Sequence, residues 1–258
     1  MTQADPTTNA ADEIAALKEQ LKKSQRMSAI GELVGTTTHE FNNLLMTILN
    51  YAKMGLRHND DEMREKSFTK ILSASEKAAK ITNNILGMAR NRSDEPEPTD
   101  LARLIGDSLL LLEREMNKYR IQVDYETASV PDVIAVGNEI QQVLMNLLTN
   151  ARQAMTNGGE IRIRLAHDVA NNMVDLLIRD NGNGIPAEKL PRIFDPYFST
   201  KAGPDESGKG GTGLGLSACR DIIQSHNGRI RVQSTVGKGT ALTIKLPVAV
   251  PAVTAKAS

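Results

Sequence analysis

The first third of the chain contains two largely apolar stripes, each with alternating steps of three and four residues. The first stripe comprises Met27, Ile30, Val34, Thr37, Phe41, Leu44, Ile48 and Tyr51. The second comprises Phe68, Ile71, Leu72, Ser75, Ala78, Ala79, Thr82, Ile85, Leu86 and Ala89. This spacing is typical of helices that bury one face. The polar residues 58–61 between the stripes indicate a turn, so the pattern predicts an antiparallel helical hairpin.

A single hairpin leaves apolar surface without a partner, because each helix packs only one face on the other. Two hairpins in a dimeric four-helix bundle would cover that surface, so we expect a homodimer; the alternative is a hairpin within a larger monomeric domain. A shorter stripe at Ile14, Leu17 and Leu21 predicts a coiled segment before the hairpin. We assign residues 1–12 to a disordered leader and residues 13–92 to this all-α unit.

Residues 91–100 contain two prolines, four acidic residues and no apolar residue. That composition predicts a linker, which we place at residues 93–100. The chain after the linker has both helical and strand patterns. We expect helices at residues 101–116, 139–155 and 214–226, and strands at residues 120–126, 160–166, 173–179, 229–233 and 240–246. This mixed order indicates an α+β sandwich at residues 101–247 rather than a doubly wound parallel sheet. Residues 248–258 are expected to form a flexible tail.

One helix start has a specific sequence signal. Asn138 is followed three residues later by Gln141, and this spacing predicts a capping box at the N-terminus of the helix expected at residues 139–155.

Composition narrows the functional classes. The 258 residues carry 31 basic and 31 acidic side chains and only 3% aromatic residues, which argues against nucleic-acid binding by phosphate neutralisation or base stacking. The single cysteine excludes an internal disulfide and fits a reducing compartment. No apolar run approaches the roughly 18 residues that cross a bilayer, and the N-terminus lacks a secretory signal. A soluble cytoplasmic protein without a membrane span is expected.

Glycine is concentrated in one loop. Six of the 19 glycines lie between Gly203 and Gly215, directly before a predicted helix. Dense glycine lets backbone N–H groups surround a ligand, and a helix N-terminus attracts anions, so phosphate is the predicted ligand class; the alternative is a flexible surface loop. The segment from Gly203 to Lys209 lacks the Ser/Thr that completes a P-loop, because Gly210 follows it. The dinucleotide spacing is absent as well.

The loop belongs to an ordered series of motifs. In chain order these are Asn146 with Asn150, the DNGNG segment at residues 180–184, Phe194 with Tyr197 and Phe198, the Gly-rich loop, and the GKGT segment at residues 237–240. The series resembles the N, G1, F, G2 and G3 boxes of the ATP-binding domain shared by gyrase, the heat-shock chaperone, mismatch-repair ATPases and histidine kinases. The resemblance covers residues 101–247 and implies ATP and Mg²⁺ as cofactors.

The resemblance implies a role for each matching residue. Asn150 is expected to bind Mg²⁺ through its amide oxygen, and Asn146 shares its helix face. Asp180 is expected to accept the adenine amino proton, with room for the base at Gly182 and Gly184, and Thr240 to complete the adenine site. Phe194 and Phe198 are expected to anchor a mobile lid. The phosphate-binding residues implied are Lys201, Gly211, Gly213 and Gly215, and Leu216 is added to the nucleotide-binding set.

Two departures from the family pattern bear on the subfamily. The hydrolysing relatives carry a water-activating glutamate where this chain has Asn146, and an amide cannot act as a base, so the pocket is expected to hold ATP without rapid hydrolysis. Many histidine kinases have a basic residue where this chain has Gln153, which leaves that phosphate contact in doubt; Arg152 is its neighbour.

The chain has four histidines, and His39 differs from the others by its position in the middle of the first long helix, away from the apolar stripe. Alone, it would be an ordinary surface residue. The segment GELVGTTTHEFNNLL, however, resembles the H box of histidine kinases, with its H-E-x-x-N pattern. The resemblance implies that His39 attacks the γ-phosphorus, that Glu40 orients the ring and takes its proton, and that Asn43 positions a water for dephosphorylation of a partner.

Together the motifs resemble the catalytic core of a two-component sensor histidine kinase. We expect a homodimer that phosphorylates His39 from Mg·ATP, passes the phosphoryl group to an aspartate of a response regulator receiver domain, and also acts as a phosphatase of that regulator. Input is expected from an upstream sensor domain or protein outside this chain. The alternatives are a degenerate kinase that binds nucleotide and acts as a scaffold, and a serine kinase of the anti-sigma type.

Overall fold

Residues 41–57, 60–89, 95–199 and 213–249 are described in the computed structural model. Two units divide the chain, a first unit of Met1–Ala89 and a second unit of Arg90–Ser258. Among the described residues, no helix combines the length and apolarity that a bilayer span requires.

The described part of the first unit contains two helices, α1 over residues 41–57 and α2 over Asp61–Ala89. Asp61 and Glu62 lie in the first turn of α2, where negative charge favours the helix dipole. The helices meet near the turn, because a Cβ added to Gly55 would lie 3.3 Å from the Cβ of Ser67. The buried positions are Leu44, Ser67, Ala74, Ala78 and Ile81. The predicted helical hairpin is confirmed over these residues.

The buried face of α2 differs in detail from the predicted stripe. Phe68 and Leu72 are 63% and 61% exposed, whereas Ala74 and Ile81 are buried. Small side chains face α1 because closely packed helices have little space between them. Among the side chains of this unit that the structure describes, seven large apolar ones are exposed: Phe41, Leu45, Met46, Leu49, Leu56, Phe68 and Leu72.

The second unit is a two-layer α/β structure. Its helices are α3 (Leu101–Lys118), α4 (Gly137–Gln153) and α5 (Gly215–Ser225), with a short 3-10 helix at Leu190–Arg192. Its strands are β1 (Glu97–Thr99), β2 (Ile121–Thr127), β3 (Val133–Ala135), β4 (Gly159–Asp168), β5 (Met173–Asp180), β6 (Arg229–Thr235) and β7 (Gly239–Pro247). Five of the strands form a sheet in the order β2-β4-β5-β7-β6, with β2 and β4 parallel and the other neighbours antiparallel. The predicted α+β sandwich is confirmed.

The alternation of side chains explains the two layers. Every second residue of the central strands is buried on one face of the sheet, as at Ile161, Ile163, Leu165, Val174, Leu176, Ile178, Leu242, Ile244 and Leu246. The opposite face of the sheet carries ion pairs, such as the one between Arg162 and Asp124, in which Arg162 Nε lies 3.2 Å from Asp124 Oδ2. The amphipathic helices α3 and α4 bury their apolar faces, so the core lies between helices and sheet.

Two short strands were missed because three residues are too few for a period of two to be recognised. Strands β1 and β3 pair antiparallel, with Pro98 opposite Ile134. Residues 97–99 of the predicted linker therefore form a strand. The buried Thr99 hydroxyl lies 2.9 Å from the carbonyl oxygen of Ala135 and holds β1 in place.

The predicted capping box on α4 is wrong. The N-cap is Val136, in extended conformation and without a side-chain cap, and Asn138 lies in the first helical turn. The carbonyl oxygen of Val136 accepts the N–H groups of Glu139 and Ile140 at 2.9 and 3.2 Å, so the helix begins directly behind β3. Position in the tertiary structure overrides the local capping preference here.

Candidate functional site

Asp180 is the last residue of β5 and forms the centre of the candidate site. Its side chain is buried, and its Oδ1 accepts the backbone N–H groups of Gly182 at 2.9 Å and Thr240 at 3.2 Å. Burial raises the pKa of this carboxyl above its usual range, while the two N–H groups act in the opposite direction. The bonds from Gly182 and Thr240 both end on the same oxygen, Oδ1. The carboxylate is therefore held by one oxygen and can accept a ligand donor with the other.

A hydroxyl network supports the neighbouring strand ends. Ser234 Oγ lies 3.0 Å from the carbonyl oxygen of Gly239, accepts the N–H of Ile185 at 2.8 Å, and lies 2.9 Å from Thr240 Oγ1. If Ser234 donates to the Gly239 carbonyl, Thr240 donates to Ser234. Ser234 thus joins β6 and β7 to the loop after β5. The sequence patterns missed it, because its partners belong to two other segments, β7 and the loop after β5.

The glycines of the DNGNG segment are required by protein packing. A Cβ on Gly182 would lie 2.6 Å from the carbonyl oxygen of Ala154, at the end of α4. Gly184 has a φ of 69°, and a Cβ there would meet the carbonyl of Thr235. Space for a base was the reason expected from the resemblance. The neighbouring backbone gives a separate reason for glycine at both positions.

Gly239→Ala is expected to destabilise the second unit by about 3 kcal/mol, because a side chain would meet the carbonyl of Asp180 at a φ of 99°. Gly237→Ala is the matched control, since its φ is 76° but a Cβ there would find no atom within 4 Å. The free energy of unfolding of the control should fall by only about 1 kcal/mol, the cost of placing alanine in the left-handed region. Urea unfolding of both variants measures the difference. Equal losses would show that the contact with Asp180 has no effect.

The asparagines of α4 lie beside the start of α5. Asn146 donates from Nδ2 to the carbonyl oxygen of Gly215, the first residue of α5, at 3.4 Å. Asn150 follows one helical turn later on the same face of α4. This face of α4 and the N-terminus of α5 therefore form one polar edge, with Leu216 in the first turn of α5.

The predicted aromatic anchors lie in the turn that precedes the Gly-rich loop. Phe194 and Phe198 are half-buried, and the guanidinium of Arg192 lies 4.8 Å from the centre of the Phe198 ring. Gly213 has a φ of 68°, and a Cβ there would meet the backbone of Tyr197 and Phe198. Gly213, near the end of the Gly-rich loop, is thus packed against this turn.

Comparison with known proteins decides the family. The second unit matches the model of the histidine kinase-, DNA gyrase B- and HSP90-like ATPases over residues 135–250, and residues 29–94 match the His Kinase A (phospho-acceptor) domain. The solved catalytic domain of the histidine kinase ThkA is 33% identical, with a TM-score of 0.52 over 60% of this chain and 98% of that one. The chain belongs to the histidine kinase family. The predicted recognition is confirmed.

Two further comparisons place this histidine kinase among its relatives. The sensor kinase CckA of Brucella abortus is 36% identical over 249 residues, which cover 90% of this chain and 26% of the relative. The chain therefore spans about a quarter of the length of that curated relative. The complex of ThkA with the response regulator protein TrrA is 28% identical to the chain, with a TM-score of 0.50 over 92% of this chain and 67% of that one.

Some predicted residues of the histidine kinase cannot be placed. His39, Glu40, Lys201 and Gly211 lie outside the described residues. Asn43 is exposed on α1, and its carbonyl oxygen accepts the hydroxyl of Thr47 at 2.9 Å. Arg152, the neighbour of Gln153, is directed at α3: its Nε lies 3.9 Å from Glu115 and its guanidinium 4.9 Å from the centre of the Tyr119 ring.

Proposed function

We propose that this histidine kinase binds Mg·ATP in its second unit and transfers the γ-phosphoryl group to its own His39. The observation that carries the proposal is the carboxylate of Asp180, which is fixed by two backbone N–H groups through one oxygen while the other oxygen remains an acceptor. An adenine amino group is a donor that suits this acceptor. The polar edge formed by α4 and α5 would then receive the phosphates, at a helix N-terminus that favours negative charge.

The residues on α4 fit a magnesium ion. Asn150 presents a side-chain amide on the face that Asn146 shares, and amide oxygens suit a hard cation that keeps several waters and phosphate oxygens. The ion would neutralise charge on the phosphates. Asn146 cannot activate a water molecule as a base, which protects bound ATP from hydrolysis and favours transfer to a side chain.

The transfer itself is a displacement at phosphorus. A neutral imidazole nitrogen of His39 forms a bond to the γ-phosphorus, the bond from that phosphorus to the bridging oxygen breaks, and ADP leaves with the electron pair. The imidazole proton passes to Glu40, which follows His39 directly in the sequence. The product is phosphohistidine, which then donates the phosphoryl group to an aspartate of a response regulator.

Incubation of the full chain with γ-labelled ATP and Mg²⁺ tests this proposal. We expect protein-bound label that is lost in acid and kept in alkali, as phosphohistidine requires. Acid-stable label would support a serine kinase instead. Nucleotide binding without incorporated label would support the alternative of a degenerate kinase that acts as a scaffold.

The partners proposed are a second copy of the chain and a receiver domain. The exposed apolar residues of the hairpin, among them Leu45, Leu49, Phe68 and Leu72, would be covered in a dimeric four-helix bundle. The relative ThkA is solved in complex with the response regulator protein TrrA, which favours a receiver domain as the acceptor.

Asn43→Ala is expected to leave autophosphorylation within about twofold of the wild type and to slow dephosphorylation of the regulator by about tenfold or more, because a water would lose its positioning group. Asn42→Ala is the matched control, an exposed asparagine at the preceding position of α1. The measurement is the decay of labelled regulator with each protein. Equal decay with both variants would discard the phosphatase role of Asn43.

A further inference from the structure

His226 is a buried histidine that the proposed function does not use. It caps the C-terminus of α5, and its side chain is only 2% exposed. Its Nε2 lies 2.9 Å from the backbone nitrogen of Val136, and its Nδ1 lies 2.7 Å from the carbonyl oxygen of Ile222. Glu139 is also buried, with Oε2 at 3.9 Å from Nε2.

The two contacts determine which nitrogen carries the proton. A backbone N–H can only donate, so Nε2 of His226 accepts from Val136 and Nδ1 carries the hydrogen that is donated to Ile222. The Ile222 contact lies within α5 and its cap, where the backbone N–H of His226 meets the same carbonyl at 3.3 Å. Of the hydrogen bonds made by the His226 ring, the bond to Val136 is therefore the one that joins the end of α5 to another element.

This bond lies between two functional parts of the second unit. Val136 is the N-cap of α4, the helix that carries Asn146 and Asn150. Ala135, the residue before it, is paired with β1, where Thr99 Oγ1 lies 2.9 Å from the Ala135 carbonyl oxygen. β1 is the first strand after α2 along the chain.

The other end of α5 is the polar edge of the candidate site. α5 begins at Gly215, whose carbonyl oxygen accepts from Asn146. α5 has 11 residues, about three turns closed by backbone hydrogen bonds, so we expect its two ends to move together. A displacement of its C-terminal end at His226 is then expected to change the position of Gly215 relative to Asn146.

We propose that His226 is a positioning residue for the phosphate end of the nucleotide site, fixing α5 to the start of α4 and, through β3, to β1. This inference rests on the proposed function, since it takes the edge between α4 and α5 to hold the phosphates of ATP. Adenine is assigned to Asp180 and Thr240, on β5 and β7, whereas the ring of His226 makes hydrogen bonds with Val136 and Ile222. Loss of the bond should thus weaken the phosphate contacts and spare the adenine contacts.

Two substitutions separate the hydrogen bonds of the ring. In His226→Gln the amide oxygen reaches as far from the backbone as Nε2 and can still accept from Val136. In His226→Asn the amide is one bond shorter, so it can donate to Ile222 but cannot reach Val136. Binding of ATP and of adenosine to the full chain is measured for both variants by competition with a fluorescent nucleotide.

The expected result is a selective loss of the phosphate contribution. His226→Asn should weaken the binding of ATP about tenfold and the binding of adenosine less than about twofold. His226→Gln should bind ATP within about threefold of the wild type. His167→Asn is the control, a histidine on β4 whose Nε2 has no hydrogen-bond partner in the described part of the chain. It should bind both ligands as the wild type does.

Three outcomes would overturn the inference. Equal weakening of ATP and adenosine in His226→Asn would assign His226 to general stability, and urea unfolding would then show the same order of variants. Unchanged ATP binding in His226→Asn would remove any role. Failure of His226→Gln to restore binding would exclude the bond to Val136. Failure of the wild type to bind ATP at all would instead overturn the proposed function, and this inference with it.

Discussion

Asp180→Asn is expected to abolish measurable autophosphorylation and to weaken ATP binding by about tenfold to a hundredfold, the range of a hydrogen bond to a charged group. Asn presents one oxygen and one NH₂ group. The oxygen would be needed by the N–H groups of Gly182 and Thr240, which now share Oδ1, and the NH₂ would then face the adenine amino group. The opposite orientation places the NH₂ against the two backbone donors. Neither orientation of the amide therefore provides an acceptor for both the backbone N–H groups and the adenine amino group.

Asp175→Asn is the matched control for this substitution. Asp175 lies on the same strand, on the opposite face of the sheet, where its Oδ2 is 2.8 Å from Lys245 Nζ. We expect it to bind ATP as the wild type does. The measurement is the dissociation constant of a fluorescent ATP analogue, with urea unfolding to confirm folding. Wild-type affinity in Asp180→Asn would remove Asp180 from the adenine site.

His39→Ala is expected to eliminate the acid-labile label completely, because alanine has no nucleophile, while ATP binding stays within about twofold of the wild type. Loss of labelling and unchanged ATP binding are expected together because the proposed nucleotide-binding residues belong to the second unit and His39 belongs to the first. His58→Ala is the control, a histidine in the predicted turn of the hairpin, and should be labelled like the wild type. Label retained in His39→Ala would move the acceptor to another residue.

The helical hairpin and the family were predictable because their signals are local or ordered along the chain. A helix repeats its buried face every three to four residues, so the stripes ending at Tyr51 and Ala89 predicted two helices wherever their partners lay. The motifs from Asn146 to Thr240 follow one another in a fixed order, and this order predicted the family that the comparisons confirm.

Other features could not be predicted since they depend on contacts between distant segments. The pattern suggested a capping box at Asn138, but the chain leaves β3 directly into α4 and makes Val136 the N-cap. Strand β1 lay within the predicted linker, and its pairing with β3 requires residues more than 30 positions away. The orientation of Arg152 toward Glu115 likewise depends on how α3 packs on α4.

Periodicity and motif order by themselves determined two helices, a mixed α/β unit and membership of the histidine kinases, because the periodicity is encoded in neighbouring residues and the motifs in their order along the chain. Tertiary structure alone decided which donor meets which acceptor. Asp180 accepts from Thr240, 60 positions later, and His226 accepts from Val136, 90 positions earlier. Spacing along the chain carries no information about such pairs, since the sheet order and helix packing that bring them together are settled by the whole core.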